Sequence, residues 1–249
     1  MFLKPFEITR KSSVTDIVAQ DYRTADVFHK HGISYCCGGK WPLETACGMK
    51  GIDVDKVLTE LDMAVRTVHT CNQLDFANWD VVFLIDYIVN VHHWYLKKAL
   101  PETQGHLKEF AAEHIKKFSY LPELERLFEL LSKRIMPSMQ QEEEVIFPYI
   151  RQISHAHKHK EPYAALFIRT LRKPVEDIMF KGHETVTNIM YSIRRLTNNY
   201  IAPENACTSH KVVNSKLKEL DNDLMQHLYL EDSILFPQVA AIEKELLNI

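Results

Sequence analysis

The chain is poor in glycine. It has seven glycines in 249 residues, whereas average usage would give roughly 17. Five of them lie between Gly32 and Gly51, and only Gly105 and Gly182 follow. Hairpins and tight β-turns depend on glycine at positive φ, so the rest of the chain is a poor candidate for an all-β or doubly wound fold. The distribution predicts an all-α protein in which a small, turn-rich domain precedes a long helical one.

Other absences narrow the function. Lys and Arg number 30 and Asp and Glu 33, a net charge of −3, so neither nucleic acid nor an anionic membrane is an expected partner. The most apolar run, residues 81–91, is interrupted by Asp86 and Asn90 and is too short to span a bilayer. The N-terminal residues lack the apolar stretch of a signal peptide. Five cysteines, two of them adjacent, do not suggest a disulfide framework, and the cytoplasm is the expected compartment.

The pattern of apolar and polar residues predicts two domains. Residues 1–66 are expected to form a small helical N-terminal domain around a cluster of unusual residues that includes Cys36 and Cys37. Residues 67–77 are polar and weakly periodic, which is typical of a linker. Residues 78–249 are expected to form a helical bundle.

Four apolar-periodic stretches follow the linker and predict an up-down four-helix bundle. Their ranges are 78–116, 121–147, 174–197 and 209–236. Because proline interrupts helices but suits their first turn, we expect Pro101 to kink or end the first stretch. For the same reason we expect Pro148 and Pro237 to end the second and fourth stretches, and Pro174 to begin the third.

The bundle contains an internal repeat. The segment EEEVIFP at 142–148 matches EDSILFP at 231–237, an offset of 231 − 142 = 89. One helix earlier, His93 matches His183 at an offset of 183 − 93 = 90. Each half therefore carries a histidine on its first helix and a glutamate near the end of its second.

This repeat predicts a metal site. His227 lies four residues before Glu231, so the two side chains share one face of a helix. Histidines and glutamates that face the core from all four helices are typical of carboxylate-bridged di-metal sites. Without a metal ion such charges would cost several kcal/mol each, and iron, zinc and copper all suit imidazole. The predicted ligands are His93, Glu142, His183, His227 and Glu231.

One position departs from the repeat. The counterpart of His227, four residues before Glu142, is Ser138, which follows Pro137. Serine is a weak metal ligand, so one ion of a pair would lack a protein ligand, or water or a neighbouring side chain would replace it. Proline inside a helix removes a hydrogen bond, so a bend is expected at this turn.

The other histidines and acids of the bundle have less specific patterns. His92 competes with His93 for the core, and the register of the repeat favours His93. Asp86 and Glu176, seven residues before the two first-helix histidines, are candidates to accept a hydrogen bond from the second ring nitrogen of a ligand. The longest connection carries a lysine-flanked histidine group that we interpret as a solvated loop. Its members are His155, His157 and His159.

The motif Tyr35-Cys36-Cys37-Gly38-Gly39-Lys40, followed by a bundle with two Glu-x-x-x-(Val/Ile)-(Ile/Leu)-Phe-Pro segments, resembles the iron–sulfur cluster repair di-iron proteins. These are also called regulators of cell morphogenesis and nitric oxide signalling. The resemblance covers nearly the whole chain and implies a hemerythrin-like bundle that holds a non-haem di-iron centre. It implies four histidine ligands and a pair of bridging glutamates, with Ser138 at the place of one histidine. The positions that match are His93, Glu142, His183, His227 and Glu231.

The resemblance also implies a function. The family is implicated in restoring iron–sulfur clusters damaged by nitrosative or oxidative stress, by supplying iron or by reacting with nitric oxide, rather than as a conventional enzyme. The expected partners are damaged iron–sulfur proteins, nitric oxide or oxygen, and a second copy of the chain in a homodimer. A reversible oxygen or nitric oxide sensor or carrier and a metal-free helical interaction module are the alternatives.

The adjacent cysteines are the candidate reactive thiols. Gly38 and Gly39 can turn their amides toward a thiolate, so Cys36 and Cys37 are expected to accept iron, react with nitric oxide or cross-link two chains. A helix-terminating turn without such chemistry is the alternative. The remaining cysteines are isolated in sequence and are expected to be ordinary thiols. They are Cys47, Cys71 and Cys207.

Overall fold

The computed structural model describes residues 7–35, 40–65 and 74–247, with the backbone alone for 171–181. These residues are largely helical and contain no β-strand, which confirms the all-α prediction. Cys36, Cys37 and most of the predicted linker lie outside the described residues. By their backbone contacts the residues of the chain divide into two compact units.

The first unit joins the N-terminal helices to two segments from later in the chain. It consists of the described residues of Met1–Cys71 with Gly105–Ser119 and Thr197–Lys218. Its N-terminal helices are α1 (Val14–Gln20), α2 (Thr24–Lys30), α3 (Leu43–Lys50) and α4 (Val54–Val65). Val14, Phe28 and Leu61 are fully buried and share one apolar core with Val212. These short helices thus have a hydrophobic core within this unit.

Two glycines of this unit have identifiable roles. Gly51 ends α3 in the left-handed conformation, with φ 67°, which a residue without Cβ adopts at little cost. At Gly105 an added Cβ would lie 3.1 Å from Cε1 of His29, which is tighter than an ordinary van der Waals contact. The close approach of His29 therefore explains a glycine inside a helix.

The second unit consists of the described residues of Asn72–Gln104, Tyr120–Leu196 and Glu219–Ile249. Four long helices supply it, and three of them contain a π-helical segment. The first helix comprises α5 (Val81–Tyr87), π1 (Ile88–His93) and α6 (Trp94–His114). The second comprises α7 (Leu121–Gln141), π2 (Glu142–Ile146) and α8 (Phe147–His159). The third is α9 (Ala164–Leu196), and the fourth comprises α10 (Thr208–Leu230), π3 (Glu231–Leu235) and α11 (Phe236–Leu247).

This arrangement confirms the predicted four-helix bundle. Its apolar core draws on all four helices, and Leu84, Phe147, Ile168 and Leu235 are among the buried residues. None of the helices in the described part of the chain is both long and apolar enough to cross a membrane.

The predictions that rested on single prolines are largely wrong. Pro101 lies inside α6 and does not end it. The third helix begins at Ala164 and passes through Pro174, because packing along a long apolar face outweighs one missing hydrogen bond. Pro137 lies inside α7, and a bend there stays a prediction. The histidine-rich segment is also helical rather than a loop, since α8 extends to His159.

Pro148 and Pro237 do not end their helices either, and the π segments supply the reason. The N–H of Phe147 donates to the carbonyl of Glu142, five residues back, and the N–H of Phe236 donates to that of Glu231 in the same way. The wider turn shifts the backbone hydrogen-bond register at the point where proline offers no donor. The repeated Phe-Pro pair therefore marks a π turn within a continuous helix.

Candidate metal centre

Four of the predicted ligands form one buried group in the second unit. His93, Glu142, His227 and Glu231 each place one ligand atom within 4.8 Å of those of the other three. His93 is the last residue of π1, while Glu142 and Glu231 are the first residues of π2 and π3. Such wide turns are frequent at functional sites. The repeat thus predicts residues that the fold brings together.

The fifth predicted ligand, His183 of α9, lies at the edge of this group. Its Nε2 is 3.5 Å from Oε2 of Glu231 and 3.9 Å from Oε1 of Glu142. Glu142 Oε2 lies 3.3 Å from Nε2 of His93, and Glu231 Oε1 lies 3.3 Å from Nε2 of His227. Each glutamate therefore turns one oxygen toward His183 and the other toward the pair formed by His93 and His227.

Three of the four carboxylate oxygens of this group lack hydrogen-bond partners among the described residues. Glu231 has no exposed surface, and neither of its oxygens has a hydrogen-bond partner among the described residues. The same holds for Oε2 of Glu142, whose residue is 3% exposed. A buried carboxylate is costly unless it is paired or coordinates a metal ion. The donor set therefore fits a bound cation.

The imidazole nitrogens lead to the same conclusion. His93 Nδ1 donates to Oε1 of Glu143 at 2.7 Å, so in the neutral ring Nε2 carries a lone pair. That Nε2 faces Nε2 of His227 at 3.0 Å. Two nitrogen ligands about 2.1 Å from one ion and at right angles to each other lie about 3 Å apart. The separation suits two ligands of one metal ion.

The pKa shifts show a site that favours positive charge. Burial alone would lower the pKa of His183, but the hydrogen bond to Asp232 and the nearby carboxylates of Glu142 and Glu231 raise it to about 10. For His227 the same burial is outweighed by Glu231, and its pKa is raised. Burial would raise the pKa of Glu142, but the neighbouring histidines lower it. Protons and metal ions therefore compete for this site.

Two acids orient the ligand histidines, and the sequence analysis missed both. Oε1 of Glu143 accepts the Nδ1–H of His93 at 2.7 Å, and Oδ1 of Asp232 accepts that of His183 at 2.8 Å. Each acid directly follows a proposed glutamate ligand, so the repeat itself holds the signal. The expected role of Asp86 is wrong, since its carboxylate pairs with Arg151 in an exposed ion pair. The side chain of its counterpart, Glu176, lies outside the described residues.

A lysine extends one of these contacts. Nζ of Lys97 lies 2.8 and 2.9 Å from the two oxygens of Glu143. Burial raises the pKa of Glu143, but the hydrogen bonds from Lys97 and His93 lower it below its usual value. Glu143 is therefore a carboxylate that holds the His93 ring in one tautomer.

The hydroxyl of Ser138 occupies the place where the repeat calls for a histidine. Its Oγ donates to Oε1 of Glu142 at 2.9 Å, the same oxygen that faces His183. The His183 side of the site thus lacks a second nitrogen ligand. One of the carboxylate oxygens on this side, Oε1 of Glu142, already accepts a hydrogen bond from Ser138. The His93 and His227 side has no such deficit.

His92 does not belong to the group of four. It is 1% exposed, and its Nδ1 lies 3.0 Å from Oδ1 of Asp223. This contact directs the ring toward α10 rather than toward the glutamates. The geometry thus follows the register of the repeat, which favours His93.

Comparisons with known proteins cover both parts of the chain. Residues 84–239 match the hemerythrin HHE cation binding domain, and residues 10–65 match the ScdA N-terminal domain, a domain of unknown function. The iron–sulfur cluster repair protein ScdA of Staphylococcus epidermidis is 28% identical over 236 residues, 94% of this chain and 100% of that protein. The iron–sulfur cluster repair protein YtfE of Escherichia coli is 28% identical over 221 residues, 89% of this chain and 93% of that protein. The resemblance drawn from the two motifs is confirmed.

Proposed function

This chain belongs to the family of hemerythrin HHE cation-binding domains, and we propose that it is a non-haem iron protein that takes part in repairing damaged iron–sulfur clusters. The observation that carries the proposal is the buried group of His93, Glu142, His227 and Glu231, in which three of the four glutamate oxygens lack hydrogen-bond partners among the described residues. Relatives that span nearly the whole chain are named iron–sulfur cluster repair proteins. A metal-free interaction module is disfavoured, because it would leave three buried carboxylate oxygens without a hydrogen-bond partner among the described residues.

The glutamate geometry supports a site for a pair of ions. Glu142 and Glu231 each direct their two oxygens to different histidines, as carboxylates that bridge metal ions do. Glu143 and Asp232 fix the ring orientation and the tautomer of His93 and His183. Bound iron would supply open coordination positions for nitric oxide or oxygen and an ion that can be handed on.

We further propose that the two halves of the site bind iron unequally. His93 and His227 with both glutamates give one ion a complete set of protein ligands. The other ion would have His183 as its only nitrogen ligand and would share Glu142 with the hydroxyl of Ser138. The weaker half suits release of iron to a damaged cluster.

The proposal is tested by a repair assay. An iron–sulfur enzyme inactivated by nitric oxide is incubated anaerobically with the reduced, iron-loaded chain, and its recovered activity is measured. We expect recovery with the unmodified chain and with Glu144→Gln, an exposed position, and loss of recovery with Glu231→Gln. Equal recovery with Glu231→Gln would show that the metal site is not responsible. Binding of nitric oxide without any recovery would favour a sensor or carrier.

The paired cysteines have a separate role in the same proposal. Cys36→Ala and Cys37→Ala are expected to abolish recovery while leaving iron binding intact, because the thiols act on the client or on the transferred iron. Full recovery with both variants would remove them from the mechanism. We also propose that the protein works in the cytoplasm as a homodimer, which sedimentation of the iron-loaded chain can test.

A further inference from the structure

The three histidines of the candidate metal centre are not supported alike. In the second unit the Nδ1–H of His93 is accepted by Glu143. That of His183 is accepted by Asp232. His227 directs its Nε2 toward the buried group, 3.0 Å from Nε2 of His93, but its Nδ1 is buried without a hydrogen-bond partner among the described residues. Because a histidine that binds a metal ion normally donates its other ring N–H to a carboxylate, a carbonyl or water, His227 requires a partner on this side.

The ring of His92 lies beside that of His227 and also has an unpaired nitrogen. The two ring centroids are 6.0 Å apart, and Nε2 of His92 has no hydrogen-bond partner in the described part of the chain either. Two hydrogen bonds of about 2.9 Å that meet at one water molecule span about 4.5–5.5 Å, a distance that fits between nitrogens of two rings at this separation. Buried waters typically satisfy buried polar atoms that otherwise lack a partner.

The other nitrogen of His92 contacts an acid of α10. Nδ1 of His92 lies 3.0 Å from Oδ1 of Asp223. A carboxylate oxygen accepts, so Nδ1 carries the hydrogen and, in the neutral ring, Nε2 has a lone pair. Asp223 lies four residues before His227, which places both side chains on one face of the helix. His92 is thus an oriented acceptor next to the unsupported histidine.

We propose that His92, held by Asp223, orients His227 through one bridging water molecule. His227 donates its Nδ1–H to the water, and the water donates to Nε2 of His92. The hydrogens of this chain all run in one direction and end on the carboxylate. Both rings are therefore fixed in the tautomer that leaves Nε2 of His227 free to bind a metal ion.

The inference rests on the metal site of the proposed function and assigns to it two positioning residues that the internal repeat does not indicate. The counterpart of His92, 90 residues later, is Gly182, which has no side chain to accept a hydrogen bond. The counterpart of Asp223, 89 residues earlier, is Arg134, which cannot accept one either. The other half of the repeat therefore cannot form such a chain.

The first test compares variants of the full chain by anaerobic titration with Fe²⁺ against a chelator. His92→Phe keeps a ring beside Tyr87, whose ring centroid lies 5.5 Å from that of His92, but it cannot accept a hydrogen bond. We expect it to weaken Fe²⁺ binding about 10-fold. His92→Gln keeps an acceptor and a donor and should restore the affinity to within about threefold of the unmodified chain. His155→Phe, at an exposed histidine of α8, is the matched control and should leave it within about twofold.

The second test separates the hydrogen-bond chain from simple attraction between Asp223 and a cation. Asp223→Asn is made in the unmodified chain and in His92→Phe. If Asp223 acts through His92, the substitution should weaken Fe²⁺ binding about 3- to 10-fold in the first background and less than about twofold in the second. An equal loss in both backgrounds would show that only its charge matters and would overturn the proposed chain.

The third test reads the ring N–H groups directly, by proton NMR of the Co²⁺-loaded chain. Each coordinated histidine contributes a paramagnetically shifted N–H signal that disappears in D₂O. We expect His92→Phe to move or broaden one of these signals, and Glu143→Gln to affect a different one. His155→Phe should change none of them. Thermal unfolding of the metal-free variants checks that each is folded.

These measurements distinguish failure of the inference from failure of the metal site. A chain that binds neither Fe²⁺ nor Co²⁺ would overturn the proposed function and the inference with it. If the unmodified chain binds both ions, an Fe²⁺ affinity of His92→Phe within about twofold of the unmodified chain would remove His92 from the site and leave the site intact. An N–H spectrum that His92→Phe leaves unchanged would do the same.

Discussion

Replacing each glutamate of the run 142–144 by glutamine, one at a time, separates three roles that lie side by side in the sequence. Glu142 faces His93 and His183 within the buried group. Glu143 accepts a hydrogen bond from His93. Glu144 is exposed and accepts one from Gln140. The three substitutions are chemically identical, so differences between them report position alone.

The expected magnitudes follow from these contacts. Loss of an orienting partner typically weakens metal binding about 10- to 100-fold, so Glu143→Gln should cost about 1.4–2.7 kcal/mol of binding free energy. Glu142→Gln removes a ligand that faces both halves of the site and should weaken binding by more than about 100-fold. Glu144→Gln should leave the affinity within about twofold.

The assay is anaerobic titration of the metal-free chain with Fe²⁺ in competition with a chelator of known affinity. Thermal unfolding of the three metal-free variants confirms that each is folded. An affinity of Glu143→Gln equal to that of the unmodified chain would refute its orienting role. Equal weakening in Glu143→Gln and Glu144→Gln would show that the effect is general charge removal rather than contact with His93.

Three further predictions concern stability. Gly182 lies in α9, where an added Cβ would meet no described atom within 4 Å. Gly182→Ala should raise the free energy of unfolding in urea by about 0.5–1 kcal/mol, and an unchanged or lower free energy of unfolding would contradict this. Burial raises the pKa of Asp26, but hydrogen bonds from His106 and Lys216 lower it below 3.8. The stabilisation from the ionised Asp26 is thus fully present above pH 3.8 and is lost as the pH falls through the lower pKa of the folded state. Asp26→Asn should therefore cost roughly 3 kcal/mol at neutral pH and progressively less as the pH falls below 3.8, which urea unfolding along a pH series measures. Chelation of the loaded protein should lower Tm by about 5–10 °C if the metal was present at 100 times its Kd, and an unchanged Tm would exclude a metal bound only by the folded state.

The bundle and its ligand candidates could be predicted from the sequence because both depend on regular spacing. The offsets that relate His93 to His183 and Glu142 to Glu231 reflect a repeated helix pair. Histidine and glutamate at matching positions of such a pair are typical metal ligands. The prediction that Asp86 accepts a hydrogen bond from the second ring nitrogen of His93 was wrong, because the spacing of seven residues was judged for an ordinary α-helix. The π turns that bring Glu143 and Asp232 to the histidines have no signature in a 3.6-residue period.

The proline errors and the missed contact of His92 have different causes. The prediction that Pro148 and Pro237 end their helices used a rule for isolated helices. In this protein a π turn precedes each proline, and the burial of Phe147 and Phe236 stabilises the continued helix. The contact of His92 with Asp223 joins residues 131 positions apart, and no periodic pattern relates them. Only the packed second unit shows it.

The most direct test of the unequal metal site is the iron content of the chain purified anaerobically after growth in excess iron. We expect about one firmly held iron per chain, rising toward two in Ser138→His, because the added imidazole completes the His183 half. Less than about 0.1 iron per chain would contradict a metal site altogether. Two firmly held irons in the unmodified chain, unchanged in Ser138→His, would contradict the inequality that Ser138 imposes.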